Sequence, residues 1–359
     1  MICNGNERIV RCLKWGMIAF LIALTAGCGY VQPEPKTPPP APLPEDKSPQ
    51  EQPITAPLTG LPADAPVDER VVAVMIENHN QARPQSGLDK ADWVFEVLAE
   101  GWITRFVAIY QSQKPERLGP VRSVRPYFID IAEGMNAVLV HAGGSTEALA
   151  RLKQTNYEHL DEIYNAGRYF WREKFRRMPH NLYTDMTRLR EAIADKGWET
   201  KAGALPQFHF LQDEEVRDGQ PATRVEITYH RTYDLAYAYD SGRRQYMRET
   251  KGKPHRDMET EEQLAVTNLI VMEAPHRIVD KEGRREVILT GQGEGMLFQR
   301  GMATPIQWHR KQGEFFVFTD AAGEPIRLLP GNTWVNIIPD KPGMQASVNI
   351  VDGSENLTQ

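Results

Sequence analysis

The run from Arg105 to Ser145, RFVAIYQSQKPERLGPVRSVRPYFIDIAEGMNAVLVHAGGS, constrains this chain more than any other stretch. Arg105 to Gln111 and Ala137 to His141 are short, apolar and rich in β-branched or aromatic residues, so they read as buried strands. Between them Pro126 disfavours helix at Arg125 and is itself suited to a first helical turn. After the second strand, the glycines of His141-Ala-Gly-Gly-Ser145 permit a tight strand-to-helix turn, and Ser145 is a good N-cap. A strand, helix, strand and helix in this order require a sheet covered by helices. They also place Arg122, Arg125, His141 and Ser145 beside two helix N-termini, a combination that suits an anion.

The flanking segments fit the same scheme. Val71 to Glu77 is almost wholly apolar, as in a strand covered on both faces, with Glu77 and His79 sharing a face at its end. Arg83 opens a turn, and Trp93 to Glu100 follows as a strand in which period two sets Glu96 and Glu100 beside Val94 and Leu98. Two carboxylates on an apolar face need partners, and Arg105 and Arg122 are the expected ones. Ser145 to Gln154 and Met186 to Asp195 read as helices. The segment from Arg168 to Asn181 carries five basic groups among aromatics, making Arg172, His180 and Asn181 candidates to stack on a sugar or hold an anion.

The second half changes to short strands at spacings that suit antiparallel pairing, from Val225 to His230 through Thr333 to Ile338. Tyr233, Leu235, Tyr237 and Tyr239 face one way and read as core. The expected fold class is α+β or α/β: an N-terminal mixed α/β domain over residues 58–203, then a β-rich antiparallel C-terminal domain over 222–340, then a flexible tail, 341–359.

The start of the chain indicates where it works. Arg8, Arg11 and Lys14 precede a short apolar run ending Thr25-Ala26-Gly27-Cys28, the layout of a secretory leader whose small residues before a cysteine resemble a lipobox. Residues 1–27 are therefore read as a lipoprotein signal peptide and Cys28 as the lipidated first residue. Residues 28–57 form a proline-rich tether, with ten prolines in the 26 residues from Gln32 to Pro57. Cys3 and Cys12 fall in the leader, leaving one thiol, so neither a disulfide framework nor a cysteine metal site is expected. Removing the leader takes the formal charge from −6 to −8, which argues against nucleic-acid binding. The expected location is the outer face of the cell membrane, with a cell-wall polymer or a wall-synthesis protein as partner.

No phosphate loop or dinucleotide motif appears, so no cofactor is expected. The spacing of Glu77, His79, His141 and His180 does not demand a metal. As an enzyme, the chain would use His141 or His180 as general base and Ser145 as nucleophile, in a hydrolase or phosphotransferase. Gly143-Gly-Ser-Thr-Glu147 lacks the last glycine of a nucleophile elbow, however, and Ser145 is better explained as a cap. The reading favoured over turnover is binding of an anionic wall glycan, peptide carboxylate or phosphate polymer. Its ligand side chains are Arg83, Glu96, Glu100, Arg105, Arg122, Arg125, His141, Ser145, Arg172, His180 and Asn181.

Many blocks carry a family resemblance in order: Ala82-Arg-Pro-Gln-Ser-Gly-Leu88, Phe95-Glu96-Val97, Gly119-Pro-Val-Arg-Ser123, Arg125-Pro-Tyr-Phe128, His141-Ala-Gly-Gly-Ser145, Pro179-His180-Asn181-Leu182-Tyr183, Asn268-Leu-Ile-Val271 and Thr333-Trp334. The folded part resembles the YerB-like bacterial lipoproteins, a two-domain family of uncharacterised function. The resemblance implies a domain layout and an envelope location, but no reaction. Trp102 stands where the family pattern favours a second glycine. The layout also resembles, over a shorter stretch, that of the LytR-CpsA-Psr phosphotransferases. That likeness would give Arg83, Arg122 and Arg125 to a pyrophosphate and set Asp92 near a metal, although the Pro-Arg-Asp-Thr run of those enzymes is missing.

Overall fold

Strand β1 (Val72–Glu77) shows how the core is built. Val72, Val74 and Ile76 enter one apolar cluster, while Val71, Ala73 and Met75 enter another, so the two clusters lie on opposite faces of one sheet. A strand buried on both faces is what its unbroken apolar run encodes. The computed structural model describes residues 53–212 and 219–352. The leader, Cys28, the tether as far as residue 52 and residues 353–359 lie outside the described part.

In chain order the elements that position the site are β1, β2 (Trp93–Leu98), β3 (Thr104–Tyr110), α1 (Pro126–Gly134), β4 (Val138–His141), α2 (Thr146–Thr155), β5 (His159–Asp161) and α3 (Met186–Asp195). There follow β6 (Arg224–His230), β7 (Tyr233–Asp240), β8 (Gln245–Thr250), β9 (Asn268–Ala274), β10 (Gly291–Gln299), β11 (Met302–Arg310), β12 (Val317–Thr319), β13 (Thr333–Pro339) and β14 (Val348–Val351). Pro126 occupies the start of α1 after extended Arg125, and the Ser145 side chain caps α2, as the local sequence dictates. The chain is α+β.

An eleven-stranded sheet runs β12, β11, β10, β9, β13, β2, β3, β1, β4, β5, with Gln220–Pro221 against β11. The strands of both halves thus join edge to edge where β13 pairs parallel with β2, in the register Glu96 to Asn336. The stretches 58–203 and 222–340 consequently share one sheet and lie in one compact unit. A six-stranded antiparallel sheet, containing β8, β7, β6 and β14, packs with α3 on one face, and α1 and α2 cover the other. Two expectations need correction. The strand from Trp93 stops at Leu98, so Glu100 lies in the following turn and does not share the face of Glu96. The tail is ordered as far as β14, which pairs with β6 and is held by that ladder.

Candidate functional site

The register brings the polar groups to one end of the large sheet. β1, β4 and β5 are parallel and finish there, and antiparallel β3 starts there, setting Glu77 opposite Arg105. A crevice of about 360 Å³ opens at this end, lined by Glu77, His79, Glu100, Ile103, Thr104, Arg105, Arg122, Pro179 and His180. Each carboxylate in it is held by two cationic or ionisable groups. Glu77 faces His180 Nδ1 at 2.9 Å and Arg122 Nε at 3.3 Å. His180 in turn stacks on His79, with ring centroids 4.7 Å apart, and burial followed by the neighbouring His180 lowers the His79 pKa. Glu100 meets Arg105 at 3.2 Å and also pairs with Arg125. Burial works to raise the Glu100 pKa, but the hydrogen bond from Arg125 and the charge of Arg105 bring it below the usual carboxylate range. Burial and the adjacent Arg125 push Arg105 down to about 10.

The two arginines expected to act together part company. Arg125 donates to Val124 O at 2.6 Å and turns to a second groove of about 710 Å³, which it shares with Ser145, Glu147, Arg151, Arg284 and Arg285. Arg122 stays in the crevice with its side chain 31% exposed. Its buried Nε has no hydrogen-bond partner among the described residues, and Glu77 is its ion-pair partner.

Glu96 is not in the crevice. Its face of β2 meets the second sheet, where Arg248 of β8 binds it at 2.8 Å. Thr104 and Tyr233 hydroxyls donate to the other carboxylate oxygen at 2.7 Å each, and Asn78 donates at 3.1 Å. Arg248 also donates to His255 and Tyr237. Arg83 belongs to the rim of this network, since it donates to Asn78 and lies over the Tyr233 ring. Sequence reasoning missed Arg248. The available signal was its place two residues after Tyr246 in an alternating strand, a charged residue in core register.

The remaining candidates are scattered by the same geometry. His141 is fully buried, with Nδ1 2.9 Å from Gly143 O and Nε2 3.0 Å from His159, and burial lowers its pKa. Ser145 accepts the Ala148 N–H at 3.3 Å in the second groove, so the expected His141, Ser145 and His180 set is not assembled. Arg172 joins Glu162 and Asn181, and Asn181 closes its own loop on Glu173 O. Asp92 accepts the N–H groups of Gln111 and Ser112 and shares no cavity with Arg83, Arg122 or Arg125. Among the described residues no group of three His, Cys, Asp or Glu side chains is placed to hold a metal ion.

Taken together, the fold is a two-part α+β body whose halves complete one sheet, with a charged crevice at the sheet end. Residues 58–199 match the family described as protein of unknown function (DUF3048), N-terminal domain, and residues 225–335 match its C-terminal domain. The "Putative lipoprotein YerB" of Bacillus subtilis (strain 168) is 39% identical over 289 residues, covering 80% of this chain and 87% of that one. The crystal structure of YerB from Bacillus subtilis superposes with a TM-score of 0.74 at 37% identity, covering 82% of this chain and 99% of the other. The chain belongs to this YerB-like, two-domain family of unknown function.

Proposed function

We propose that the protein is a membrane-anchored, extracytoplasmic lipoprotein that captures an anionic ligand of the cell envelope in the crevice at the sheet end. Arg122 carries this reading: its side chain is partly exposed in the crevice, and its buried Nε lies 3.3 Å from Glu77, its ion-pair partner, without a formed hydrogen bond. Guanidinium forks suit carboxylate and phosphate, and His79 and His180 add ring nitrogens to the same wall. Binding is favoured over covalent turnover because, among the described residues, no serine or cysteine lines the crevice, and Thr104 spends its hydroxyl hydrogen on Glu96.

The test uses the chain from Cys28 onward and purified wall fractions. Retention on complete wall, lost on wall stripped of teichoic polymers, identifies a phosphate polymer. Retention on both identifies a peptidoglycan carboxylate. An Arg122→Ala protein retained as well as the parent on either fraction defeats the reading.

A further inference from the structure

The loops around the crevice form a closed ring that presents apolar tips. Pro179 and His180 share the cavity wall with Ile103, and the turn containing Ile103 abuts Gly283 of the 275–288 hairpin at Gly101. Val279 and Arg284 of that hairpin line the second groove together with Ser145 and Glu147. Ile163 packs over Gly143, and Glu162 is paired with Arg172, from which the chain enters the 173–180 loop.

Exposed apolar side chains concentrate on this ring. Tyr164 and Met178 are 70% and 68% exposed, Ile163 and Val279 59% each, Ile278 54% and Phe175 50%. These residues are not simply loose loop tips. Arg176 fastens its loop by donating to Ala82 O and Pro84 O, and His180 fastens it to Glu77, so Phe175 and Met178 are held outward.

Basic groups stand between the apolar tips. The 173–180 loop has Lys174, Arg176 and Arg177 against Glu173, and the 275–288 hairpin has four basic groups against three acidic ones. These two loops are net positive in a chain of formal charge −6; the ring's other stretches carry Glu147, Asp161 and Glu162, of which Asp161 is buried and Glu162 is paired with Arg172. The turn at 100 adds Glu100, but Arg105 and Arg125 offset it. Apolar and aromatic tips alternating with lysine and arginine are the pattern of a surface that sinks shallowly into an anionic bilayer.

We infer that this ring is a docking surface for an anionic lipid bilayer. The inference goes beyond ligand capture in the crevice and does not depend on it. It predicts that the chain from Cys28 onward, made with Cys28→Ser so that no acyl group contributes, co-sediments with vesicles of equal parts phosphatidylglycerol and phosphatidylcholine but not with phosphatidylcholine alone. Removing two surface charges, Lys174→Gln with Arg177→Gln, should weaken that binding by roughly thirtyfold. Met178→Ser with Val279→Ser should weaken it comparably, with an unchanged melt because both side chains are exposed. Arg122→Ala should lose the wall ligand while keeping most of the vesicle binding, so the two readings fail separately.

The same protein has no other thiol, so Met178→Cys can carry an environment-sensitive dye. Its emission should shift to the blue on the anionic vesicles, whereas a dye on Leu61→Cys, at the opposite end of the sheet, should not shift. Equal binding to both vesicle types, no shift at Met178, or ring-dependent dimerisation in the absence of lipid each overturns the inference.

Discussion

Glu96 and Glu77 sit on strands of the same sheet and both meet an arginine, yet the two sites have opposite characters. The Glu96 and Arg248 side chains are 0% exposed, and their remaining polar atoms are matched by Thr104, Tyr233, Tyr237, Asn78 and His255. In the crevice the Arg122 side chain is 31% exposed, and its buried Nε faces Glu77 at 3.3 Å without a formed hydrogen bond. The chemistry is the same, but only the first site has every partner supplied by the chain. A buried pair whose valences are filled joins two sheets; a pair whose arginine reaches solvent can exchange its partner for a ligand.

The largest effect should come from breaking the sealed site. Arg248→Ala leaves Glu96 buried and charged, and removing one partner of such a pair costs about 3–5 kcal/mol. Urea unfolding should show that loss. The double variant Glu96→Leu with Arg248→Met removes both charges and should recover a large part of it. A single variant as stable as the parent would mean that the network does not hold the sheets together.

A second effect separates the sites by pH. Burial, then the charges of Arg248 and Arg83, push His255 well below its ordinary value, and burial takes His276 and His159 down to about 4. Below about pH 6.5 the unfolded chain binds protons that these native histidines refuse, so stability falls as pH drops towards 4. Asp257, raised to about 6 mainly by burial, works the other way, since its folded form takes up a proton first on acidification. The histidines outnumber it. His255→Gln should flatten the slope of unfolding free energy by up to about 1.4 kcal/mol per pH unit, one proton's worth. An unchanged slope would show that His255 titrates freely in the native protein.

The open site should respond in the reverse sense: binding changes more than stability. Arg122→Ala should cost about 1–2 kcal/mol, less than the sealed pair, because the guanidinium is partly exposed and the buried Glu77 carboxylate keeps His180 as a partner, while retention on wall fractions drops. Glu77→Gln sharpens the contrast. It removes the carboxylate that competes for Arg122, so retention of an anion should increase. If Glu77→Gln weakens retention instead, Glu77 positions the ligand and does not merely hold its place.

The difference between the sites also explains what was legible in the sequence. The strands and helices of the first half are encoded locally: the apolar runs of β1 and β3, Pro126 and Ser145 at helix starts, and the period of Met186, Leu189, Ala192 and Ile193 all define their elements. Glu77 and His79 could be seen as a polar pair at a strand end. The partner of Glu96 could not be seen, because Arg248 lies 152 residues away and meets it only when the second sheet packs on the first. Arg105 and Arg122 were nearer in the chain and equally suitable chemically. The joining of β13 to β2 was hidden for a related reason: an apolar strand does not encode which edge it completes.

The smallest effect concerns Ser145, the residue for which capping and catalysis compete most directly. Its hydroxyl accepts the Ala148 N–H at 3.3 Å, and its residue is 8% exposed at the start of α2. Its groove is not the one that contains His180, and fully buried His141 faces Gly143 O and His159. A cap replaced by alanine leaves one helix donor unpaired and costs about 0.5–2 kcal/mol. Ser145→Ala should therefore lower the melt modestly and leave wall retention intact, and Ser145→Asp, which can still cap and adds favourable charge at the helix N-terminus, should restore the melt. A nucleophile would behave differently, since aspartate could not replace it in an activity measured by release of product from wall polymer. Restoration by aspartate with no change in retention assigns Ser145 to the helix, whereas lost retention in Ser145→Ala at unchanged stability would draw the second groove into the binding site and remove the distinction between the two cavities.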